Sequence, residues 1–161
     1  MRVKKHKPDA KLLVLLRNPA DRAYSHYNHS KSRGVETSTF RKALDIELVR
    51  QGRAEYREWL NWAYLARGRY VEQLARWFEL FPREQFHIIK SEDFFADSDN
   101  TMQAVFEFLG LESFSVFHAY KVHNKQRYCV DESTYDWLRD YFKPYNEQLY
   151  ELLEWDFGWD D

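Results

Sequence analysis

Arg17, Arg22 and Ser25 are residues whose types and spacing suit one chemistry, the binding of a phosphate-like anion. A guanidinium is permanently charged and presents a planar fork of donors, and a serine hydroxyl adds one more. Arg22 and Ser25 are three residues apart, so on a helix they are neighbours on one face. Asn18 can cap a helix and Pro19 suits its first turn, which places Arg17 where a helix begins. There its guanidinium and the unpaired N–H groups of the first turn could meet a single anion. Spacing alone leaves a structural alternative open, in which Arg17 or Arg22 pairs with Asp21 or another carboxylate.

The elements that must hold these residues are legible in the hydrophobic pattern. Leu12 to Leu16 form a continuous apolar run between Lys11 and Arg17, which predicts a short strand buried on both faces. A helix is expected from about Pro19 to Ser32, with Gly34 ending it. Phe40, Leu44 and Leu48, spaced four apart, predict a second helix over Thr37 to Arg50 with Gly52 as its stop. The repeat of Tyr70, Leu74, Trp77, Phe78 and Phe81 predicts a third over roughly Tyr64 to Leu80, closed by Pro82. Phe86 to Ile89 reads as a second strand, and Asp97 or Ser98 opens a helix that Gly110 terminates. A loop near Lys121 to Val130 precedes helices from Ser133 and from about Tyr145, with Pro144 kinking or dividing them. Alternation of this kind argues for an α/β fold, mostly helical, with an incomplete parallel sheet flanked by helices. Two strands leave edges unpaired, so a segment before Met1 or a partner chain is expected to complete the sheet.

Composition bounds the remaining possibilities. At 161 residues, 44% of them hydrophobic and 18% aromatic, the chain is expected to form a single domain with a real core. No apolar run is long enough to span a bilayer and the start lacks a secretory signal, so a soluble cytoplasmic protein without membrane contact is expected. Cys129 is the single cysteine and cannot form an internal disulfide. His26 and His29 share a helix face but lack the further ligands that a metal site needs. Residues 1–33 hold nine Lys/Arg against two Asp, net +7, while residues 34–161 are net −9. The basic end is where an anion would go, although residues 1–10 also read as a basic solvated tail. The acidic remainder and the lack of a recognised motif argue against nucleic acid. Asp131, Glu132, Asp160 and Asp161 read as surface charge.

The stretch KLLVLLRNPADRAYSHYNH closely resembles the motif with which sulfotransferases hold the 3′-phosphate of 3′-phosphoadenosine 5′-phosphosulfate (PAPS). The pattern Arg-x-Pro-x-x-Arg-Ala-x-Ser-x-Tyr reads here as Arg17, Pro19, Arg22, Ala23, Ser25 and Tyr27. The likeness continues through RGRYVEQLARWFELFPREQFHIIKSEDFFADSDNTMQAVFEFLGL and YFKPYNEQLYELLEWDFGW, nearest to the bacterial and heparan-modifying branches. It implies a P-loop-like sulfotransferase fold, PAPS or its product PAP as cofactor, and Arg17 and Ser25 as ligands of the 3′-phosphate, with Arg22 beside them. Lys125 and Arg127 in HNKQRYCVD occupy the place of the family's cofactor-covering basic loop, with Gln126 where a glycine is usual; two solvated charges are the competing reading. Tyr70 matches a tyrosine on the nucleotide side of the family pattern, but its place in the Tyr70, Leu74, Trp77 stripe favours a pure core role. Glu92 and Asp93 resemble the family's structural Glu-Asp pair rather than a general base.

The resemblance also implies that this chain corresponds to the C-terminal part of a sulfotransferase. None of its 5 glycines lies in a Lys-x-Gly-Thr loop of the kind that binds the 5′-phosphosulfate, and no catalytic residue is assigned. Two functions are therefore expected in competition. One is a sulfotransferase-family protein that binds the 3′-phosphate of PAPS, the family reaction being sulfuryl transfer to an acceptor hydroxyl or amine. The other is a truncated, non-catalytic binding or scaffold protein that self-associates or pairs with a partner through an exposed sheet edge.

Overall fold

The structure, a computed structural model, describes residues 2–50, 61–112 and 130–160. Lys125, Arg127, Cys129 and the Gly52 stop lie outside the described residues, as does most of the loop expected before Val130. The chain forms two compact units: Met1–Arg17 with Leu74–Arg127, and Asn18–Gln73 with Tyr128–Asp161.

In the first unit, strands β1 (Leu12–Leu16) and β2 (Phe86–Lys90) pair in parallel, Leu12 opposite Phe86 and Leu16 opposite Lys90. Helix α1 (Arg2–His6) precedes them, so the basic start is partly helical rather than a plain tail, and Lys4 lies over the Phe81 ring. Both faces of β2 are covered. Phe86 packs against Phe78 and Phe81 on one side, and His87 stacks on Phe108 on the other. Phe108 belongs to the helix Ser98–Leu109, which Asp97 caps through the Asn100 N–H and Gly110 ends in the left-handed conformation (φ 75°). That helix follows the short helix Ser91–Ala96. The expectation for β1 is corrected: Leu13 and Leu15 are 46% and 57% exposed, alternating with half-buried Leu12 and Val14 and buried Leu16. A strand side chain points to each face in turn, and the face of β1 that carries Leu13 and Leu15 is the more exposed one.

The second unit is helical. Asn18 caps α2 (Pro19–Ser32) through its side chain, and α3 (Phe40–Arg50) begins later than Thr37 because Glu36 Oε1 accepts the Ser38 N–H and turns the chain first. Its core joins Ala20, Ala23 and Tyr27 of α2 to Phe40, Ala43 and Leu44 of α3, with Tyr64, Leu65, Leu138 and Phe142. Small alanines let the helices approach closely. The expected helix from Tyr64 is shorter: α4 covers Tyr70–Phe78, preceded by a 3-10 turn over Ala66–Gly68. The next two helices in chain order are α5 (Ser91–Ala96) and α6 (Ser98–Leu109), already described.

The last helix, α7, runs unbroken over Glu132–Leu153, so Pro144 divides nothing. An interior proline costs about 3 kcal/mol. Against it stands one buried stripe, Leu138, Phe142, Asn146, Leu149 and Leu153, whose members fall on both sides of the proline. Each large apolar side chain buried contributes roughly 1.5–3 kcal/mol, so packing on one continuous face wins. Asp131 is the N-cap of α7 and bonds Ser133 and Thr134, and Asp160 accepts from Asn146 at 2.8 Å, so neither is idle surface charge. Because Pro144 is exposed and its helix is intact, Pro144→Ala restores a backbone N–H and is expected to raise stability by about 1–3 kcal/mol. Urea unfolding checks this; an unchanged or lower midpoint would show that the proline is accommodated at no cost.

Candidate anion-binding site

Arg17 closes the first unit and is half-buried at the carboxyl end of β1. The next residue, Asn18, opens the second unit and sets the electrostatics of the α2 start. Its Oδ1 accepts the N–H of Ala20 at 2.9 Å and of Asp21 at 3.4 Å, and its carbonyl accepts that of Arg22 at 2.9 Å. Pro19 has no N–H to give. The first turn of α2 therefore has its donors satisfied within the chain, which corrects the expectation that unpaired N–H groups there await an anion. The helix dipole remains, but direct donors to an anion must come from side chains.

Ser25 lies half-buried one turn beyond Arg22 on α2. Arg22 Nη2 donates to the Tyr64 carbonyl. Asp21 accepts from the Tyr135 hydroxyl at 3.3 Å. Tyr70 is buried, with its ring 6.0 Å from that of Trp159, inside an aromatic cluster that includes Tyr150 and Phe157. Among the described residues no group of three or more His, Cys, Asp or Glu could hold a metal ion.

A buried polar network escaped the sequence reading. Glu36 and Glu47 are both buried. Glu36 Oε2 accepts the Tyr64 hydroxyl at 3.0 Å, and Glu47 accepts the Leu65 and Ala66 N–H groups at 2.7 and 2.9 Å. Burial raises the Glu47 carboxyl above its ordinary value, opposed by these backbone donors and by the charge of Arg22. Burial also pushes up the Tyr64 phenol. One signal was available: Glu47 sits three residues after Leu44 and next to Leu48, a charge on an apolar stripe.

His26 stands beside this network, its ring 4.9 Å from that of Tyr64. Burial first, then the positive charges of Arg22, Arg67 and His29, hold its pKa down to about 4, against a hydrogen bond to the backbone of Ala63. The charges of Arg22, Arg67 and His29 thus reach His26 and disfavour its protonation.

Comparison with known proteins now identifies the fold. The sulfotransferase domain family matches residues 1–146. The chain belongs to the sulfotransferase family. Human heparan sulfate glucosamine 3-O-sulfotransferase 3B1 is 26% identical over 176 residues, covering 94% of this chain and 44% of the relative. Rat carbohydrate sulfotransferase 15 is 30% identical, over 94% of this chain and 31% of the relative. A crystal structure of a sulfotransferase from Alicyclobacillus acidocaldarius superposes with a TM-score of 0.84 at 31% identity, covering 99% of this chain and 61% of that one. This chain thus spans less than half the length of those two relatives, and its small parallel sheet among helices is an α/β sulfotransferase fold.

A histidine whose folded pKa is depressed contributes stability above its ordinary value near 6.5, and this is lost as pH falls toward about 4. His87, lowered by burial and by Arg83, acts in the same sense, while raised Glu47 acts in the opposite one. The melting temperature is expected to fall from pH 7.5 to pH 5, and His26→Asn to flatten that fall. Parallel curves for the two proteins would remove His26 as a source of acid sensitivity.

Proposed function

We propose that this chain carries the 3′-phosphate-binding part of a sulfotransferase that moves a sulfuryl group from PAPS to an acceptor hydroxyl or amine. Arg17 supplies a permanent charge and a bidentate fork to the phosphate, and Ser25 a hydroxyl donor. PAPS supplies the sulfuryl group and PAP is its leaving group. The observation that carries the reading is the motif from Arg17 to Tyr27 in a chain of this family, with Arg17 at a strand end and a capped helix following it. A guanidinium and a hydroxyl are a donor set that fits a phosphate. Lys125 and Arg127, which lie outside the described residues, are proposed as further cofactor contacts. Arg22 and Tyr70 contribute on this reading by fixing the backbone and core around α2 and α4, since Arg22 grips the Tyr64 carbonyl and Tyr70 is buried. The relatives named for heparan sulfate and carbohydrate make a glycan the favoured acceptor class.

Calorimetric titration with PAP, with adenosine 5′-monophosphate as the control lacking the 3′-phosphate, tests this directly. PAP is expected to bind in preference. Arg17→Ala is expected to lose about 1.5–3 kcal/mol of PAP binding and Ser25→Ala about 0.5–1.5 kcal/mol, with monophosphate affinity little changed. Equal affinity of the unaltered chain for the two nucleotides would sink the reading.

The exposure of Leu13 and Leu15 on β1 favours a second reading, in which the chain self-associates or pairs with a partner chain as a non-catalytic scaffold. Sedimentation at increasing protein concentration is expected to show association that Leu13→Lys with Leu15→Lys abolishes. A monomer across that range would count against it.

A further inference from the structure

The buried carboxylate of Glu47 is not needed by any phosphate contact, yet its burial demands an explanation. An ionised carboxylate taken from water costs several kcal/mol unless donors replace the lost hydration. Glu47 finds its donors in the backbone of another segment, one oxygen on the Leu65 N–H and the other on that of Ala66. These are the groups that the 3-10 turn Ala66–Gly68 leaves orphaned, because its N-cap Leu65 has no side-chain acceptor. Glu47 is thus a cap supplied from a different helix.

The capped turn is tied to α2 at two points. Gly68 has no room for a side chain: a Cβ there would lie 2.6 Å from Phe142 Cε1 and 3.2 Å from the Cβ of Pro19, the first residue of α2. Upstream of the turn, the Tyr64 carbonyl receives Arg22 Nη2 from the first turns of the same helix. A displacement of residues 64–68 is therefore passed to the amino end of α2 by contact and by hydrogen bond. That end carries Arg22 and, one turn on, Ser25.

We propose that Glu47 is a positioning residue, which by capping the 66–68 turn fixes the amino end of α2. Its consequence for nucleotide rests on the phosphate reading above; its effect on the helix does not. In Glu47→Gln the amide nitrogen faces a backbone N–H, so one of the two bonds is lost while shape is kept. Leu48→Ala is the control, because Leu48 is on the same helix and packs on the same core without touching the turn's N–H groups.

Amide hydrogen exchange, resolved by NMR at a temperature where circular dichroism shows each variant folded, decides the matter. In Glu47→Gln, exchange is expected to accelerate about tenfold or more at Leu65 and Ala66 and also at Ala20, Asp21 and Arg22, whereas Leu48→Ala leaves the α2 amides within about threefold. Acceleration confined to Leu65 and Ala66 would make Glu47 a local cap and overturn the proposal. Should Glu47→Gln not fold, Gly68→Ala reads the same link from the other end, and full protection at Ala20 to Arg22 there overturns it equally. With nucleotide, the ratio of PAP to monophosphate affinity is expected to fall about fivefold in Glu47→Gln and to hold in Leu48→Ala, since loss of folded fraction alone scales both affinities together. An unchanged ratio in folded Glu47→Gln beside a wild-type preference for PAP would refute the positioning effect on the phosphate. A wild type without that preference would refute the phosphate reading, and the exchange data would still judge Glu47.

Discussion

The second unit depends on one desolvation constraint, the burial of carboxylates among backbone donors. Once Glu47 is placed on the inner face of α3, its oxygens must be hydrogen-bonded, and the N–H groups of Leu65 and Ala66 are what reach them. Those N–H groups cannot then serve as mid-helix donors, so the chain from Tyr64 to Gly68 turns instead of continuing the helix that begins at Tyr70. Glu36 repeats the logic, dividing its two oxygens between the Ser38 N–H and the Tyr64 hydroxyl. Both carboxylates grip the same short segment from different sides, and Arg22 holds its carbonyl. Polar satisfaction, rather than propensity, determines the path of the backbone here.

Such a segment is suited to holding the start of α2 in place. Loop backbone that must stay still needs either deep apolar packing or fixed hydrogen bonds, and residues 64–68 have both: Tyr64 and Leu65 are fully buried while their backbone groups are bonded to side chains of α2 and α3. Aromatic rings add to this, with Tyr27 against Phe40 at 5.0 Å and His26 against Tyr64 at 4.9 Å. The low pKa of His26 is a consequence of the same crowding, because a proton there would sit buried among Arg22, Arg67 and His29.

How much of this was legible in the sequence follows from how local each signal is. The run Leu12 to Leu16, the Asn18-Pro19 helix start, and the Asp97 to Gly110 helix with both caps are encoded by neighbours in the chain, and their boundaries emerge as read. Exposure of Leu13 and Leu15 was not legible, since an apolar run says that a strand can be buried on both faces and not that it is. Pro144 misled because the rule for proline is local while the stripe from Leu138 to Leu153 is not. The turn at Ala66–Gly68 was missed for the same reason: its cap, Glu47, stands on a different helix. At the site, the motif singled out Arg17 and Ser25, but not the role of Asn18, whose oxygen atoms take the N–H groups that an anion was expected to use.

The satisfied donors of α2 shape how a chain of this kind would contribute to a group transfer. With the first-turn donors of α2 satisfied, the proposed grip on a 3′-phosphate would fall on side chains, whose effect depends on where they are held. On the proposed reading this phosphate is remote from the sulfur that reacts. Binding energy gathered at a remote group speeds a reaction only when it is converted into alignment of the reacting end. A loosely held arginine would supply affinity through charge alone, and affinity that is equal for ground and transition states leaves the chemical step unchanged. A rigid α2, seated on a capped turn and an aromatic core, is what would turn a phosphate contact into orientation. On that reading the buried network around Glu47 belongs to the function as much as the residues proposed to meet the ligand.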